Sequence, residues 1–462
     1  MIGGILIALQ WLACAPAQVE DGSSFDVLIY VLDACRADRI GAYGYSRPTT
    51  PTIDALAEDP DTVLYTRHYV AGNWTKPATA SLFTSSYVHQ HGVTHTHAEI
   101  EAGRYKTDIL DDRFVTLAES FRQANYATFG LVTSHHLAPR YGFDQGFDVY
   151  LDPDDLKVGD SGRNKKLIDL IWKQDSGYFA YVHQNACHHP FRPHERDAEF
   201  MAEFGFDYDE ASRVAAAIDF TTPEIQRAIE EGDTQLTSED ARFLSLVYDA
   251  KFRQIDREVV APMIEGLRRA GRWDRTLLIL TADHGEELYE HRGYAHAYSL
   301  WDEIIRVPLI VKFPAGMRPP DLPKRVDTLT SNIDFYPTLL ELLGRQIPEG
   351  LAGRSIFDSL DGRFILSQGM TEGPSQELTD WALIRDWDKL IVERSGEKYL
   401  FDLEADPGET KNLAAERPER VAELDALGRA TWASASDVGA PQIETELTPE
   451  VIERLRSLGY LE

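Results

Sequence analysis

The stretch DVLIYVLD, residues 26–33, is a continuous apolar run that ends in an aspartate. A run of this length without alternating polar residues is typical of a strand that is buried on both faces of a sheet. The same pattern recurs in the second half of FVTLAESFRQANYATFGLVTS (114–134) and in GYFAYVHQN (177–185), TLLILTADHGEE (276–287) and VPLIVKFP (307–314). Together these runs predict a large sheet at the centre of the molecule.

Helical segments lie between these runs. Residues 114–134 begin as an amphipathic helix and turn at Asn125 before the strand, and residues 238–271 form a long helical stretch. Strands that alternate with helices predict an α/β fold, a three-layer αβα arrangement around a mostly parallel mixed sheet. In such sheets the functional residues gather at the carboxyl ends of the strands.

The character of the sequence changes after about residue 365. The stretch WALIRDWDKLIVERSGEKYLFDLEADPGE (381–409) has short strand-like runs separated by polar turns, which is typical of an antiparallel meander. We therefore divide the chain into four parts: a signal segment, a main α/β domain, a small C-terminal α+β subdomain with an antiparallel sheet, and a tail, over residues 1–22, 23–365, 366–435 and 436–462.

The composition limits the partners of the chain. Its 462 residues carry a formal net charge of −30, from 46 basic and 76 acidic side chains. This charge would repel nucleic acid and anionic membrane surfaces, so we predict no nucleic-acid partner. An anion-binding site must then be built locally, from a metal ion, a helix N-terminus or a few His and Lys residues. No segment predicts an integral membrane domain, and the sequence leaves the oligomeric state open.

The N-terminus, MIGGILIALQWLACAPAQVEDG, contains an apolar run that is short for a membrane span and ends in small residues. Residues 15–17, Ala-Pro-Ala, fit a signal-peptidase site. Residues 12–14, Leu-Ala-Cys, could instead form a lipoprotein box, although no Lys or Arg precedes the run. We predict a periplasmic or secreted protein, with lipid anchoring through Cys14 as the alternative to its removal.

The cysteines do not form a disulfide scaffold. Besides Cys14 the chain has only Cys35 and Cys187, which could make at most one bridge. Because Cys35 follows a buried strand, a packed free thiol is the state that we predict for it.

Acidic residues follow two of the predicted strands. Asp33 follows the first, and Asp283 follows the run at 276–282, with His284 next to it. On a parallel sheet these residues would converge at one edge. Carboxylate and imidazole donors suit a divalent cation such as Ca²⁺, Mg²⁺, Mn²⁺ or Zn²⁺. Taken alone, an Asp after a strand is more often a helix cap or a turn residue.

Ordered blocks of the sequence resemble those of the sulfatase family, within the alkaline phosphatase superfamily. They are DACRADRIGAYGYSRPTTPTIDALA (33–57), TADHGEELYEHRGYAHAYSLWDEIIRVPLIVKFP (281–314), LFDLEADPGETKNLA (400–414) and LRSLGYL (455–461). The resemblance spans about residues 25–462 and implies an alkaline-phosphatase-like fold. It also implies that Asp33, Asp283 and His284 bind one divalent metal ion, Ca²⁺ by family, and that the nucleophile coordinates the same ion.

The nucleophile position departs from the family pattern. Typical sulfatases carry C-x-P-S-R, whose Cys is oxidised to formylglycine, whereas the matching residues here are TKPAT (75–79). Formylglycine cannot form without the Cys, and the motif's Arg is Thr79. A divalent cation strongly favours the alkoxide of a bound hydroxyl, so Thr75 can replace the Cys as nucleophile. Pro77 favours a helix that starts here, so we predict that Thr75 both caps the helix and attacks the substrate.

Further residues match positions that handle the anion in the family. The stretch YVHQNACHHPF (181–191) resembles the block H-x-M-D-P-H-x-P-Y, which implies that His183 and His188 contact the substrate or act as acid and base. Ala186 stands where the family has Asp, which argues against a second metal ion. His296 matches the basic residue after the second metal block, which contacts the ester or protonates the leaving oxygen. Lys76 either supplies the charge of the missing Arg or points to solvent.

The resemblance and the residues together predict a hydrolase of sulfate or of phosphate or phosphonate esters. Its covalent intermediate would lie on Thr75, and its substrate would be a small-molecule or a glycan- or lipid-derived anionic ester. A Thr nucleophile favours phosphorus and the family favours sulfate, so both stay open. Two alternatives remain: a phosphoryl-group transferase, although similar transferases carry membrane helices that this sequence lacks, and a catalytically inactive binding protein.

Overall fold

A computed structural model of the protein describes residues 25–94, 98–101, 104–156, 159–185, 187–188, 195–205, 207, 209, 237–358, 362–369, 380–434 and 444–457. The predicted signal segment with Cys14, the substituted Ala186 and the end of the LRSLGYL block lie outside these residues.

The strands, in chain order, are β1 (Asp26–Leu32), β2 (Thr62–Tyr65), β3 (His68–Tyr69), β4 (Ala98–Glu101), β5 (Arg104–Asp108), β6 (Ala127–Leu131), β7 (Val149–Leu151), β8 (Tyr178–Gln184), β9 (Thr276–Thr281), β10 (Glu287–Leu288), β11 (Tyr294–Ala295), β12 (Leu309–Lys312), β13 (Arg325–Val326), β14 (Thr330–Ser331), β15 (Phe364–Gln368), β16 (Trp381–Arg385), β17 (Asp388–Val392), β18 (Lys398–Asp402) and β19 (Glu444–Glu446).

The helices are α1 (Pro51–Glu58), α2 (Thr75–Thr84), α3 (Val88–His91), α4 (Leu117–Gln123), α5 (Asp160–Ile171), α6 (Ala198–Glu203), α7 (Ser238–Ile255), α8 (Ala261–Arg269), α9 (Asp302–Ile305), α10 (Phe335–Leu342), α11 (Pro418–Ser434) and α12 (Pro449–Ser457). A π-helical turn at residues 256–260 joins α7 to α8, so one continuous helical segment covers residues 238–269 of the stretch predicted as helical at 238–271. None of the helices described is both long and apolar enough to cross a membrane.

An eight-stranded sheet in the order β13-β2-β12-β9-β1-β8-β6-β7 forms the centre of the main domain. Strand β1 is parallel to both of its neighbours, β8 and β9, whereas β12 is antiparallel to β9 and to β2. The predicted mostly parallel mixed sheet is therefore confirmed. The five apolar runs predicted as strands correspond to β1, β6, β8, β9 and β12.

The core lies on both faces of this sheet, because successive side chains of a strand point to opposite sides. In β1, Leu28, Tyr30 and Leu32 pack with residues of α5, α7 and α8, and Val27 and Ile29 pack with residues of α2, α4 and α10. Every residue of β1 is buried. This explains why its sequence shows no polar alternation, and it confirms the predicted αβα layers.

The C-terminal part forms a separate antiparallel sheet in the order β15-β16-β17-β18, and α11 packs against β16 and β17. Its first strand begins at Phe364, just before the boundary that the sequence suggested. The tail then returns to the main domain, because β19 pairs antiparallel with β5 in a three-stranded sheet with β4. The partner strand β5 also accepts hydrogen bonds from Lys76 of α2.

Candidate active site

The carboxyl ends of β1 and β9 bring two aspartates together. Val31 pairs with Thr281 in parallel register, and Asp33 and Asp283 each follow two residues later. These aspartates and His284 are 5% exposed or less, and one ligand atom from each lies within 4.8 Å of the others. We call Asp33, Asp283 and His284 the strand-end cluster. The structure thus brings together the three residues that the strand-end rule selected.

The imidazole of His284 is oriented as a ligand would be. Its Nδ1–H donates to the carbonyl of Gly285 (2.8 Å), which leaves the lone pair on Nε2. That Nε2 lies 3.3 Å from Asp33 Oδ1, a buried oxygen that accepts no hydrogen bond from the described residues. Burial alone would lower the pKa of His284, but the charges of Asp283 and Asp33 raise it to about 9. The cluster therefore favours a positive charge at Nε2, which a metal ion would supply in place of a proton.

Asp283 is held in place from several directions. Its Oδ1 accepts hydrogen bonds from the backbone N–H of His284 (3.1 Å) and of Ala34 (3.3 Å). Burial would raise the pKa of Asp283, but His284 and His183 lower it well below its usual value. Ala34 itself has a positive φ of 56°, which is uncommon for a residue with a side chain and marks strain beside the cluster.

Thr75 is the first residue of α2 and not its cap. Trp74 occupies the cap position with an extended backbone, and its carbonyl accepts from the N–H of Ala78 (3.2 Å). The Thr75 hydroxyl points instead at the strand-end cluster, with Oγ1 3.3 Å from His284 Nε2 and a hydrogen bond to Asp283. The prediction that Thr75 caps the helix was therefore wrong. A capping hydroxyl turns back to its own helix, so one hydroxyl cannot serve both positions.

His183 lies behind the carboxylates of the cluster. Its Nδ1 accepts from the hydroxyl of Thr133 (2.9 Å), and its Nε2–H donates to Asp283 Oδ2 (3.1 Å). The side chain is completely buried. Burial would lower the pKa of His183, but its hydrogen bond to Asp283 and the charges of Asp283 and Asp33 raise it. His183 thus contacts the cluster directly and is positioned to orient Asp283.

His188 and His296 form a group of rings with His284. The ring centre of His296 lies 4.1 Å from that of His284 and 4.8 Å from that of His188. The Nδ1–H of His296 donates to Glu286 Oε1 (2.8 Å), and Glu286 is fully buried. Burial, followed by the charge of His284, lowers the pKa of His296 to about 3. His296 is therefore neutral at pH 7, with Nε2 as the nitrogen that can exchange a proton.

The loop that carries His296 is strained and is attached to the segment before Thr75. Ala297 N–H donates to the carbonyl of Asn73 (3.2 Å), and the Asn73 side chain donates to the carbonyl of Ser299 (3.0 Å). Residues of this loop with a positive φ are Tyr289, Arg292, Ala295 and Ala297. Non-glycine residues rarely adopt this conformation, and it persists where surrounding contacts impose it. These contacts bring His296 beside the strand-end cluster.

Lys76 points into the protein and away from solvent. The side chain is completely buried, and its ammonium donates to Thr107 Oγ1 (2.6 Å) and to the carbonyl of Asp108 (2.5 Å). It also lies 4.7 Å from the ring centre of Tyr141. Burial lowers the pKa of Lys76 to about 7. The solvent-facing alternative was therefore wrong, and the ammonium is directed at β5.

The position of the family's motif Arg carries no charge. The hydroxyl of Thr79 lies 3.3 Å from that of Tyr181, and both side chains are buried.

Sequence reasoning missed two residues that support the cluster. Thr133 follows β6, so the strand-end rule could have selected it. Tyr248, whose hydroxyl donates to the carbonyl of Ala34 (2.6 Å), lies inside α7 and gives no such signal.

Comparison with known proteins connects this geometry to one family. The family model described as Sulfatase matches residues 26–345. A Delta 4,5-hexuronate-2-O-sulfatase of Bacteroides thetaiotaomicron is 23% identical over 441 residues, which cover 87% of this chain and 86% of the relative.

Solved structures share the fold. A putative sulfatase from Bacteroides thetaiotaomicron superposes with a TM-score of 0.68 at 20% identity, covering 90% of this chain and 93% of that one. A phosphonate monoester hydrolase of Agrobacterium radiobacter superposes with a TM-score of 0.62 at 20% identity, covering 91% and 96%. At this level of identity the superpositions establish the alkaline-phosphatase-like fold.

Proposed function

Because the chain belongs to the sulfatase family of hydrolases, we propose that it cleaves an anionic ester through a covalent intermediate on Thr75. The observation that carries this proposal is the direction of the Thr75 hydroxyl, 3.3 Å from His284 Nε2 within the strand-end cluster. A hydroxyl that served only to begin the helix would have no reason to face two buried aspartates.

The cluster fits the divalent metal ion that the family implies. Asp33, Asp283, His284 and Thr75 would hold it, since they offer carboxylate, imidazole and hydroxyl donors within a small buried space. When bound, the ion supplies positive charge that favours the Thr75 alkoxide and polarises the ester oxygens. Family membership favours Ca²⁺, whereas the imidazole donor also suits Mn²⁺ or Zn²⁺, so Mg²⁺ fits the set least well.

The protein's own residues would carry the proton steps. Thr75 Oγ1 attacks the sulfur or phosphorus, the bond to the alcohol oxygen breaks, and a Thr ester forms. His296 is neutral at rest and can take the Thr75 proton at Nε2, then give it to the leaving oxygen. The Glu286 carboxylate at 2.8 Å would stabilise the imidazolium that forms between these transfers. His188 is the second candidate for this role. Water then attacks the Thr ester and releases the anion.

The substrate class remains divided between two kinds of ester. The hexuronate sulfatase relative favours a sulfate ester on a glycan, and the phosphonate hydrolase neighbour favours a phosphorus ester. The neutral Thr79–Tyr181 pair at the motif Arg position gives weight to a second candidate, an inactive binding protein that has lost this charge.

We also propose export of the chain, with Cys14 either removed or lipidated. The mass of the mature N-terminus tests this.

The decisive experiment is a substrate panel with metal-loaded protein. Aryl sulfates, phosphate monoesters, diesters and phosphonates are incubated with wild type, Thr75→Ala and the matched control Thr84→Ala. Thr84 lies at the other end of α2 and its hydroxyl donates to the carbonyl of Ala80. We expect Thr75→Ala to lose about 10⁴-fold or more in kcat on the best substrate, and Thr84→Ala to stay within about threefold.

Peptide mass after substrate trapping should locate a phosphoryl or sulfuryl group on the peptide that holds Thr75. Full turnover by Thr75→Ala would contradict the nucleophile. No turnover of any ester by the metal-loaded wild type would favour the binding protein, and transfer of the group to an added alcohol in preference to water would favour a transferase.

A further inference from the structure

The two described cysteines occupy matching positions on neighbouring strands. Leu32 of β1 pairs with Gln184 of β8 in parallel register, and Cys35 and Cys187 each follow three residues later. Neighbouring strands lie about 4.8 Å apart, which is within the range of backbone separations that a disulfide can bridge. The backbone N–H of Cys187 also donates to the carbonyl of Asp33 (2.9 Å), so the two loops stay together beyond the strands.

The side chains of these cysteines face each other. Their Sγ atoms lie 2.8 Å apart, and both residues are 1% exposed or less. Both are buried thiols in this structure, which confirms the packed free thiol predicted for Cys35; the proposal below concerns the oxidised form of the same pair. The two sulfurs are therefore already close to each other, although a disulfide bond would bring them closer still, to about 2.05 Å.

We propose that Cys35 and Cys187 form a disulfide that joins the loop of Asp33 to the loop of His188. The reaction is thiol–disulfide exchange with a low-mass disulfide such as glutathione disulfide. One cysteine thiolate attacks the reagent's disulfide and releases the first glutathione thiolate; the second cysteine thiolate attacks the mixed disulfide and releases the other. Both cysteines are oxidised, the reagent's two sulfurs are reduced, and two protons pass to solvent.

The bond would form while the chain folds, because the folded protein shields both sulfurs from reagents. It would close a long loop, since the two residues are 152 positions apart in sequence. Long loops lose the most conformational freedom in the unfolded state when they are cross-linked, so the oxidised protein should unfold at a higher temperature.

Peptide mapping of the refolded full-length chain tests the bond directly. The protein is reduced, denatured, refolded with reduced and oxidised glutathione, and alkylated in denaturant before digestion. We expect the peptides that hold Cys35 and Cys187 to appear as one cross-linked pair, lighter by two hydrogens than their sum. Folded protein in which both sulfurs are alkylated, or in which either is joined to Cys14, would overturn the proposal.

Thermal unfolding provides a second, independent test. The oxidised wild type should melt about 5 °C above the reduced wild type. Cys14→Ala should keep this difference, whereas Cys35→Ala and Cys187→Ala should each lose it, because one partner is then missing. A redox-dependent shift that persists in Cys35→Ala would contradict the pairing.

Discussion

Two groups of side chains in this protein have almost the same composition but different surroundings. The strand-end cluster combines His284 with two aspartates, and a second group combines His291 with Glu303 and Glu409, which we call the seam cluster. In each group one ligand atom per residue lies within 4.8 Å of the others. The first lies at the carboxyl edge of the main sheet. The second joins the main domain to the loop after β18 of the C-terminal sheet.

The difference is the source of positive charge. In the seam cluster the fully buried Lys389 places its ammonium 2.8 Å from Glu409 Oε1 and 2.8 Å from Asp302 Oδ1. Among the described residues, no Lys or Arg forms an ion pair with the aspartates of the strand-end cluster. The seam cluster therefore has an ammonium beside its carboxylates, whereas the aspartates of the strand-end cluster face His183 and His284. Ligand types at the right spacing select both clusters. The neighbouring lysine and the greater burial of the strand-end cluster distinguish them.

The largest effect should come from removing one carboxylate charge in each cluster. We expect Asp283→Asn to weaken metal binding by more than about 100-fold, because it removes the charge of a proposed ligand, and to lower turnover with it. The matched variant Glu303→Gln should leave metal content unchanged, since its cluster holds Lys389. Metal content per chain after dialysis, measured by elemental analysis, checks both. Equal metal loss in the two variants would show that the clusters are alike.

The next effect concerns stability. We expect Lys389→Met to lower the free energy of unfolding by about 3–5 kcal/mol, because the largely buried carboxylate of Asp302 would lose its ammonium partner. The control is Lys398→Met, which removes a partly exposed pair with Asp425 and should cost less than about 1 kcal/mol. Urea unfolding measures both. A similar loss of unfolding free energy in the two variants would contradict the distinction between the buried and the exposed pair. Metal content should not change in either variant.

The most gradual effect, spread over several pH units, sharpens the comparison of buried cations. Burial raises the pKa of Glu409 to about 8, even though the ammonium of Lys389 lies beside it. The hydrogen bonds of Lys76 go to a hydroxyl and a carbonyl, and burial lowers the pKa of Lys76 from 10.5 to about 7. Between these last two values the unfolded chain binds more protons at Lys76 than the folded one. The free energy of unfolding therefore rises with pH across this window and falls as pH drops through the folded pKa.

This contribution has a maximal slope of about 1.4 kcal/mol per pH unit and should disappear in Lys76→Met. Urea unfolding of wild type and variant between pH 7 and pH 10 measures the difference in slope. Parallel curves for the two proteins would mean that Lys76 keeps its proton in the fold.

The sequence predicted the features that depend on local pattern. The apolar runs of β1 and β9 identified buried strands, and the parallel arrangement then required Asp33 and Asp283 to meet. The direction of Lys76 was not predictable in this way, because it depends on β5, a strand whose pattern is not apolar. The helix assignment of Thr75 failed by a single position, since local pattern does not fix the exact residue at which a helix begins.

The seam cluster was also beyond sequence reasoning. His291 and Glu303 lie in one motif block and Glu409 in another, and the sequence gives no indication that these blocks touch. Lys389, which decides the character of the cluster, belongs to β17, and the sequence around this strand is typical of an ordinary antiparallel meander. Long-range contacts of this kind follow from packing between subdomains, which local periodicity does not report.

The pairing of β19 with β5 has a consequence for the order of events during synthesis. Ribosomes make the chain from its N-terminus, so α2 with Thr75 emerges long before β19. Lys76 bonds to Thr107 and Asp108, and these residues of β5 pair with Thr445 and Glu444 of β19. The sheet that holds the Lys76 ammonium is therefore incomplete for most of translation, and contacts between such distant segments form slowly. A nascent chain would complete this sheet among its last folding events.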